Sequence, residues 1–160
     1  MSSITIIGAG SSGLAAAHAL KDKGHRVMLF EKSDAPGGRA TTRNRDGFTY
    51  DHGAQYIKGG SPITTDLISR RFYVDDLIDI RKPVWIFDAQ GHISEGDPAQ
   101  NADPKWNYRS GLITLAKRMA EGLDIRFNTR VEHIEYHIAG WHLFDEQGAQ
   151  LSDAERLLIT

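Results

Sequence analysis

The chain has 160 residues, a formal net charge of −2 and no cysteine, with 40% hydrophobic and 25% charged residues. Such a near-neutral balance gives no broad attraction to nucleic acid or to an anionic membrane surface. The absence of cysteine excludes disulfides, cysteine metal ligands and a cysteine nucleophile, and it is compatible with a reducing compartment. No apolar run approaches the roughly 20 residues of a membrane helix, and the N-terminus lacks the basic flank of a signal peptide. We therefore expect a cytoplasmic protein.

The first 31 residues predict a βαβ unit that binds a dinucleotide. An apolar strand over residues 4–7 leads into a Gly-x-Gly-x-x-Gly turn, a helix, and a second strand that ends at Glu31. Gly8 permits the tight turn, Gly10 lets a pyrophosphate approach the backbone, and Gly13 lets the helix lie close to the sheet. The free N–H groups of the first helical turn would then face the phosphates.

Side chains beside the glycine turn extend this predicted site. Ser11 and Ser12 can supply hydroxyl donors to a phosphate. Glu31 follows Gly13 by 18 positions, near the offset of about 20 expected for the acid that binds a ribose hydroxyl. A carboxylate there would repel a 2′-phosphate. The motif alone does not separate FAD from NAD, and the alternative interpretation is a structural turn with no ligand.

Two later segments also place glycine where the backbone could approach a ligand. Residues 33–43 contain Gly-Gly-Arg and predict a second phosphate-contacting loop, in which the Arg39 guanidinium could bind a pyrophosphate through two hydrogen bonds. The alternative is a surface turn with a solvated arginine. Phe48 and Tyr50 alternate with polar residues, as in a short strand, and Gly53-Ala54 then offers small residues to a flat ring.

In order and spacing these segments resemble the FAD-dependent amine-oxidase superfamily, and the nearest branch is similar to renalase and its bacterial relatives. The resemblance rests on the glycine turn, Glu31, Gly-Gly-Arg-Ala-Thr-Thr at 37–42 and Asp-His-Gly-Ala-Gln-Tyr-Ile at 51–57. It implies non-covalent FAD, with the pyrophosphate on the glycine turn and Arg39 along the pyrophosphate and ribityl chain. It also implies that residues 53–56 line the flavin ring and that the Val131 backbone binds the adenine.

The cofactor contacts predicted from the motifs and from this resemblance form one set. They are Gly8, Gly10, Ser11, Ser12, Gly13, Glu31, Lys32, Gly38, Arg39, Ala40, Gly53, Ala54, Gln55, Tyr56 and Val131. No acid–base side chain is clearly required, so no catalytic residue is assigned. No metal site is predicted either, because His133 and His137 share a strand face about 13 Å apart. His52, beside the predicted ring position, is the one histidine of interest.

Residues 58–108 are predicted to be part of an inserted substrate domain, as the resemblance implies. The predicted elements are a helix over 61–68, a second short helix at 77–78, a strand over 84–87, a hairpin turn at 90–91 and a loop over 95–107. Trp85, Trp106 and Tyr108 are candidates to face a substrate, although such aromatic residues more commonly pack in a core.

Residues 109–160 are predicted to return to the FAD-binding domain. Apolar residues recur at helical spacing over 112–123, with Gly122 near the end of the helix. The elements predicted after it are a strand over 124–127, two strands over 131–138 and 141–144 joined by a tight turn, a turn at 147–148 and a returning strand over 156–160.

The predicted fold class is therefore α/β: a Rossmann-like FAD/NAD(P)-binding domain with a parallel sheet and a β-meander, over 1–57 and 109–160, and part of an inserted substrate domain. Because relatives of this kind are considerably longer, we expect the chain to be the N-terminal portion of a larger protein, with a naturally short gene product as the alternative. Its oligomeric state stays open.

The expected function is that of the FAD-binding portion of a flavin-dependent oxidoreductase, with a small-molecule substrate. In such enzymes a hydride passes from an amine, or from a reduced nicotinamide such as NAD(P)H, to the flavin and then to dioxygen. The alternatives are an NAD-linked dehydrogenase and a non-catalytic nucleotide-binding module.

Overall fold

The computed structural model describes all 160 residues and contains fourteen strands and three helices. The strands are β1 (Ser3–Ile7), β2 (Arg26–Phe30), β3 (Ala40–Arg45), β4 (Phe48–Gly53), β5 (Ile57–Lys58), β6 (Leu77–Asp79), β7 (Trp85–Phe87), β8 (Ile93–Glu95), β9 (Lys105–Tyr108), β10 (Asp124–Arg126), β11 (His133–His137), β12 (Gly140–Phe144), β13 (Gln150–Ala154) and β14 (Arg156–Ile159). The helices are α1 (Ser11–Lys21), α2 (Pro62–Asp66), which continues into a π-helical turn at Leu67–Arg71, and α3 (Ile113–Ala120). None of these helices has the length and apolar character needed to cross a lipid bilayer.

A parallel sheet in the strand order β10-β2-β1-β14 forms the centre of the fold. β1 lies inside this sheet, and its residues Ile4, Thr5 and Ile6 are buried. A strand covered on both faces needs a run of apolar residues rather than alternation, which explains the sequence at the N-terminus. α1 connects β1 to β2, and the returning strand β14 pairs with β1. The predicted βαβ unit and its parallel sheet are confirmed.

Helices α1 and α3 pack against each other and against this sheet. Their common core contains Leu14 and Ala17 from α1, Ala116 and Met119 from α3, and Leu29 from β2. The apolar spacing that predicted α3 is therefore a packing face, and the helix ends at Ala120, two residues before Gly122 as predicted. This packing holds the N-terminal end of α1, where the glycine turn lies, in a fixed position relative to β1.

Strands β11, β12 and β13 form the predicted antiparallel β-meander. Leu143 and Ala154 from the meander are buried with Phe30 of β2 in a second, smaller core. Val131, at the entry to the meander, packs against the same core. The meander therefore sits directly beside the carboxyl end of β2, which is where Glu31 follows.

β3 and β4 form an antiparallel hairpin that was predicted only in part. The short strand at Phe48 and Tyr50 is confirmed as β4. The loop predicted over 33–43 was wrong from Ala40 onward, because β3 begins there and pairs with β4 along its whole length. β3 reads Ala-Thr-Thr-Arg-Asn-Arg, and a strand with so few apolar residues gives no alternating signal.

Residues in the predicted substrate-domain segment form two small sheets, β5-β9-β6 and β7-β8. The strand over 84–87 and its hairpin are confirmed by β7 and β8. The short helix predicted at Leu77 and Ile78 was wrong, since both residues lie in β6 and pair with β9. The loop predicted over 95–107 was wrong at its end, where β9 starts at Lys105.

Candidate functional site

A groove of about 1040 Å³ opens at the carboxyl ends of β1 and β2, beside the start of α1. This is the edge at which parallel α/β sheets bind ligands. Most of the predicted cofactor contacts line it, namely Gly8, Gly10, Ser11, Ser12, Glu31, Lys32, Gly38, Arg39, Ala40, Gly53, Ala54 and Val131. The structure thus brings together residues from five separate stretches of the chain.

The first glycine turn leaves the beginning of α1 open to the groove. Gly8 has φ +105°, a conformation that favours glycine, and a Cβ on Gly13 would lie 2.0 Å from the Gly8 carbonyl oxygen. Gly10 differs, because a Cβ there would meet no protein atom within 4 Å. Gly10 precedes α1 and no side chain caps the helix, so its first N–H groups stay available to a ligand. This is the geometry that a phosphate group fits.

Glu31 is buried, and its two carboxylate oxygens accept hydrogen bonds from the backbone of two different segments. Its Oε2 accepts a hydrogen bond from the Ala9 N–H at 2.8 Å, and its Oε1 accepts one from the Ser33 N–H at 2.9 Å. The sequence predicted that Glu31 binds a ribose hydroxyl, but it did not predict these two hydrogen bonds, which stabilise the glycine turn. Each carboxylate oxygen has a second lone pair, so both can still accept a hydroxyl.

The second glycine pair packs directly against the first glycine turn. The Gly37 N–H donates to the Ala9 carbonyl at 3.0 Å, and Gly10 and Gly37 form an isolated parallel bridge. A Cβ on Gly38 would lie 3.3 Å from the Gly10 Cα. Arg39 follows at the rim of the groove, where its side chain is exposed and forms no ion pair. The backbone of this loop is therefore structural, while the guanidinium is free to bind an anion.

The side chains that line the groove make it positively charged. Lys32, Arg39 and Arg130 are cationic and Glu31 is the one acidic residue, which leaves a side-chain charge of +2 in a chain with a net charge of −2. Arg130 Nε lies 3.0 Å from Glu132 and 3.4 Å from Glu146, so the positive charge of the groove that no acidic side chain pairs with is carried by Lys32 and Arg39. Sequence reasoning missed Arg130 and Thr129 as wall residues, because their position follows from the packing of the meander.

The far end of the groove is formed where β4 ends. Gly53 has φ +127°, and a Cβ on it would lie 2.2 Å from the Arg39 carbonyl oxygen. The Ala54 N–H donates to that same carbonyl at 3.0 Å, so the end of β4 lies against the Arg39 backbone. Both Gly53 and Ala54 face the groove.

The structure does not bring every predicted contact to the groove wall. Gly13 lies behind the turn, Gln55 donates from its amide to the Asp51 carbonyl at 2.7 Å, and the exposed Tyr56 ring lies 5.4 Å below the Lys105 ammonium. The roles of Gln55 and Tyr56 at a flavin ring stay predictions. His52 is exposed beside Thr41, outside the groove, and no group of three or more acidic or histidine side chains is arranged to hold a metal.

The protein family described as NAD(P)-binding Rossmann-like domain matches residues 6–71. A 4,4′-diapophytoene desaturase (4,4′-diaponeurosporene-forming) from Staphylococcus haemolyticus is 36% identical over 85 residues, which cover 53% of this chain and 17% of the desaturase. The matched family thus spans the glycine turn, Glu31 and the Gly37-Gly38 loop. The chain corresponds to only a small part of the desaturase.

Solved structures share the fold along nearly the whole chain. A putrescine oxidase bound to putrescine has a TM-score of 0.76 and 17% identity, covering 99% of this chain and 57% of the oxidase. CtdE in complex with FAD has a TM-score of 0.66 and 20% identity, covering 100% of this chain and 37% of CtdE. At these identities the likeness shows the fold alone.

Proposed function

We propose that this chain belongs to the FAD-dependent amine-oxidase superfamily and is the FAD-binding portion of a flavin-dependent oxidoreductase. The proposal is supported by the matched Rossmann-like domain, by the desaturase relative and by the fold. The observation that carries the proposal is the positively charged groove at the uncapped start of α1, with the buried Glu31 beside it. A diphosphate needs positive charge and free N–H groups, and a ribose needs a fixed hydrogen-bond acceptor.

We propose the following placement of FAD along the groove. The diphosphate would lie over Gly10 and the first amides of α1, with Arg39 as a charged partner. Glu31 would accept a hydroxyl of the adenosine ribose, and Val131, which also lines the groove, would bind the adenine through its backbone. Gly53 and Ala54 lie at the other end of the same groove and would leave room for the flavin ring.

FAD supplies the redox chemistry of such an enzyme by accepting a hydride on its ring. The part played by this chain is to bind the adenosine and diphosphate, to orient the ring and to shield it from water. No side chain of the groove stands out as an acid or base, so we assign no catalytic residue.

The finer features of the proposal rest on the resemblance given by the sequence. We propose a renalase-like enzyme whose small-molecule substrate is an amine or a reduced nicotinamide, with dioxygen as the final acceptor. Residues 58–108 would contribute to the substrate domain, which is supported by their arrangement in sheets separate from the parallel one. A cytoplasmic location completes the proposal.

Titration of the purified chain with FAD, ADP, FMN and NADH, followed by calorimetry and by flavin fluorescence, tests this function. We expect FAD and ADP to bind and FMN to bind much more weakly, because the groove recognises the adenosine and diphosphate. Binding of NADH without FAD would favour an NAD-linked dehydrogenase, an alternative raised by the NAD(P)-binding family match. Absence of binding by every adenine nucleotide would refute the proposal.

A further inference from the structure

Asp51 lies two residues before the end of β4, and its carboxylate is the centre of a hydrogen-bond network. Its Oδ1 accepts hydrogen bonds from the Thr42 hydroxyl at 2.5 Å and from the Leu112 N–H at 2.9 Å. Its Oδ2 accepts one from the Asn107 side-chain amide at 2.9 Å. A single carboxylate therefore connects β3, β9 and the residue that precedes α3, three parts of the chain that are distant in sequence.

The Asp51 carboxylate is held in its charged form. Burial alone would raise its pKa, but the hydrogen bonds from Thr42, Asn107 and the Leu112 backbone outweigh this effect, so the pKa of Asp51 lies below its usual value. An ionised carboxylate accepts bonds at both oxygens, and these bonds are stronger than those between neutral groups. A neutral amide at this position could not accept from all three donors.

The start of α3 depends on this arrangement. No side chain of α3 or of Leu112 caps the helix. Instead the Leu112 N–H donates to Asp51, and the Ile113 N–H donates to the Thr42 hydroxyl oxygen at 3.1 Å. The hairpin β3–β4 thus supplies the cap, and a negative charge is favourable at this end of a helix.

The same network reaches both glycine-bearing walls of the groove. Asn107 donates from its side chain to the Gln55 carbonyl at 3.0 Å as well as to Asp51. At the other end, a Cβ on Gly37 would lie 3.5 Å from side-chain atoms of Ile113 and of Ala116 in α3, so the helix touches the second glycine loop. Asp51 itself does not line the groove.

We propose that Asp51 is a positioning residue for the flavin end of the groove: its carboxylate fixes the segment 53–56 relative to α3 and β9 without touching the ligand. The proposal rests on the FAD site proposed above. A residue that only stabilised the fold would affect binding of the adenosine end and the flavin end alike. A residue that positions the segment 53–56 affects the flavin end more, since Glu31 and the glycine turn hold the adenosine end independently.

Amide hydrogen exchange of the ligand-free protein tests the positioning without any cofactor. In Asp51→Asn we expect exchange at the segment 53–56 and at Leu112 to rise about tenfold or more, with β1 and β2 unchanged. The matched control is Asp88→Asn in the β7–β8 hairpin, where Asp88 accepts the Gln90 and His92 N–H groups at 2.9 Å and also has a lowered pKa. Unchanged exchange at 53–56 in Asp51→Asn would overturn the proposal, whether or not the chain binds FAD.

A second measurement compares the affinities of FAD and ADP in the same variants. We expect Asp51→Asn to weaken FAD about tenfold more than ADP and to alter the visible spectrum of the bound flavin, while Asp88→Asn changes neither. Equal weakening of both ligands would assign Asp51 a purely structural role and overturn the proposal. If Asp51→Asn does not fold, Asn107→Ala removes the link between Asp51 and the Gln55 carbonyl while the Thr42 and Leu112 bonds of Asp51 remain, and the same comparison applies to it.

Discussion

Replacement of Gly10 by alanine should weaken ligand binding at least about tenfold while leaving the fold intact. Gly10 has φ −71°, which any residue adopts, and the added methyl group would meet no protein atom within 4 Å. Alanine is a poorer residue than glycine before a helix by about 1 kcal/mol, and the stiffer unfolded chain offsets this by about 0.4–1 kcal/mol. The free energy of unfolding should therefore change by less than about 1 kcal/mol.

The effect of the same methyl group on the ligand should be much larger. It would occupy the space through which a diphosphate reaches the first amides of α1. Each lost hydrogen bond to a charged group costs about 1.5–3 kcal/mol, which corresponds to about 10- to 100-fold in affinity. We expect the dissociation constants of FAD and ADP to rise together by at least this factor, because both carry the diphosphate.

Two other glycine variants serve as controls in the same assays, which are chemical denaturation and calorimetric titration. Gly13→Ala should unfold the protein, since its Cβ would lie 2.0 Å from the Gly8 carbonyl oxygen. Gly91→Ala, in the β7–β8 hairpin, should lose about 1–2 kcal/mol of stability because φ is +82°, and should retain its affinity for FAD. Wild-type affinity in a well-folded Gly10→Ala protein would refute the reasoning.

Three further substitutions test other parts of the structure. In Glu31→Gln the side chain can no longer accept both backbone N–H groups, so the free energy of unfolding should fall by about 1–3 kcal/mol and the affinity for FAD should fall as well. An unchanged denaturation midpoint would contradict the stabilising role of these two hydrogen bonds. The stability of Arg39→Ala should stay within about 0.5 kcal/mol of the wild type, but the variant should bind FAD about tenfold more weakly, and its affinity should depend less on salt concentration. Wild-type affinity would exclude a contact between Arg39 and the diphosphate. Tyr108→Phe removes a buried hydroxyl without a partner and should be at least as stable near neutral pH. Burial raises the pKa of Tyr108 from 10.0 to about 12, so above pH 10 the unfolded chain loses this proton first. The wild type should then lose up to about 2 kcal/mol more than the variant between pH 10 and pH 12, and parallel denaturation curves would contradict this.

The βαβ unit could be predicted from sequence because its signals are local. Apolar residues in β1 are buried on both faces, and the glycines at positions 8 and 13 are required by backbone conformation and by contact distance. The helical spacing in α3 likewise marks the face that packs in the core. These patterns depend on residues close together in the chain, so they can be recognised without knowledge of the tertiary structure.

The errors occur where tertiary partners decide the structure. Leu77 and Ile78 form a strand because β9 lies beside them, and nothing in their immediate sequence indicates that partner. β3 is a strand through its pairing with β4, despite its polar composition. The prediction of the site was incomplete for the same reason. The sequence suggested that Glu31 binds a ligand, but it could not show that the carboxylate oxygens accept hydrogen bonds from the Ala9 and Ser33 N–H groups. The sequence around Asp51 does not indicate its positioning role, because its hydrogen-bond partners lie far away in the chain.

Amide chemical shifts of the isotopically labelled chain during titration with ADP measure the central claim most directly. We predict the largest shifts at Ala9, Gly10, Ser11 and Ser33, with a further shift at Val131, which also lines the groove. Shifts confined to another surface, such as the β7–β8 hairpin, with the glycine turn unaffected at saturation, would contradict the assignment of this groove as the dinucleotide site.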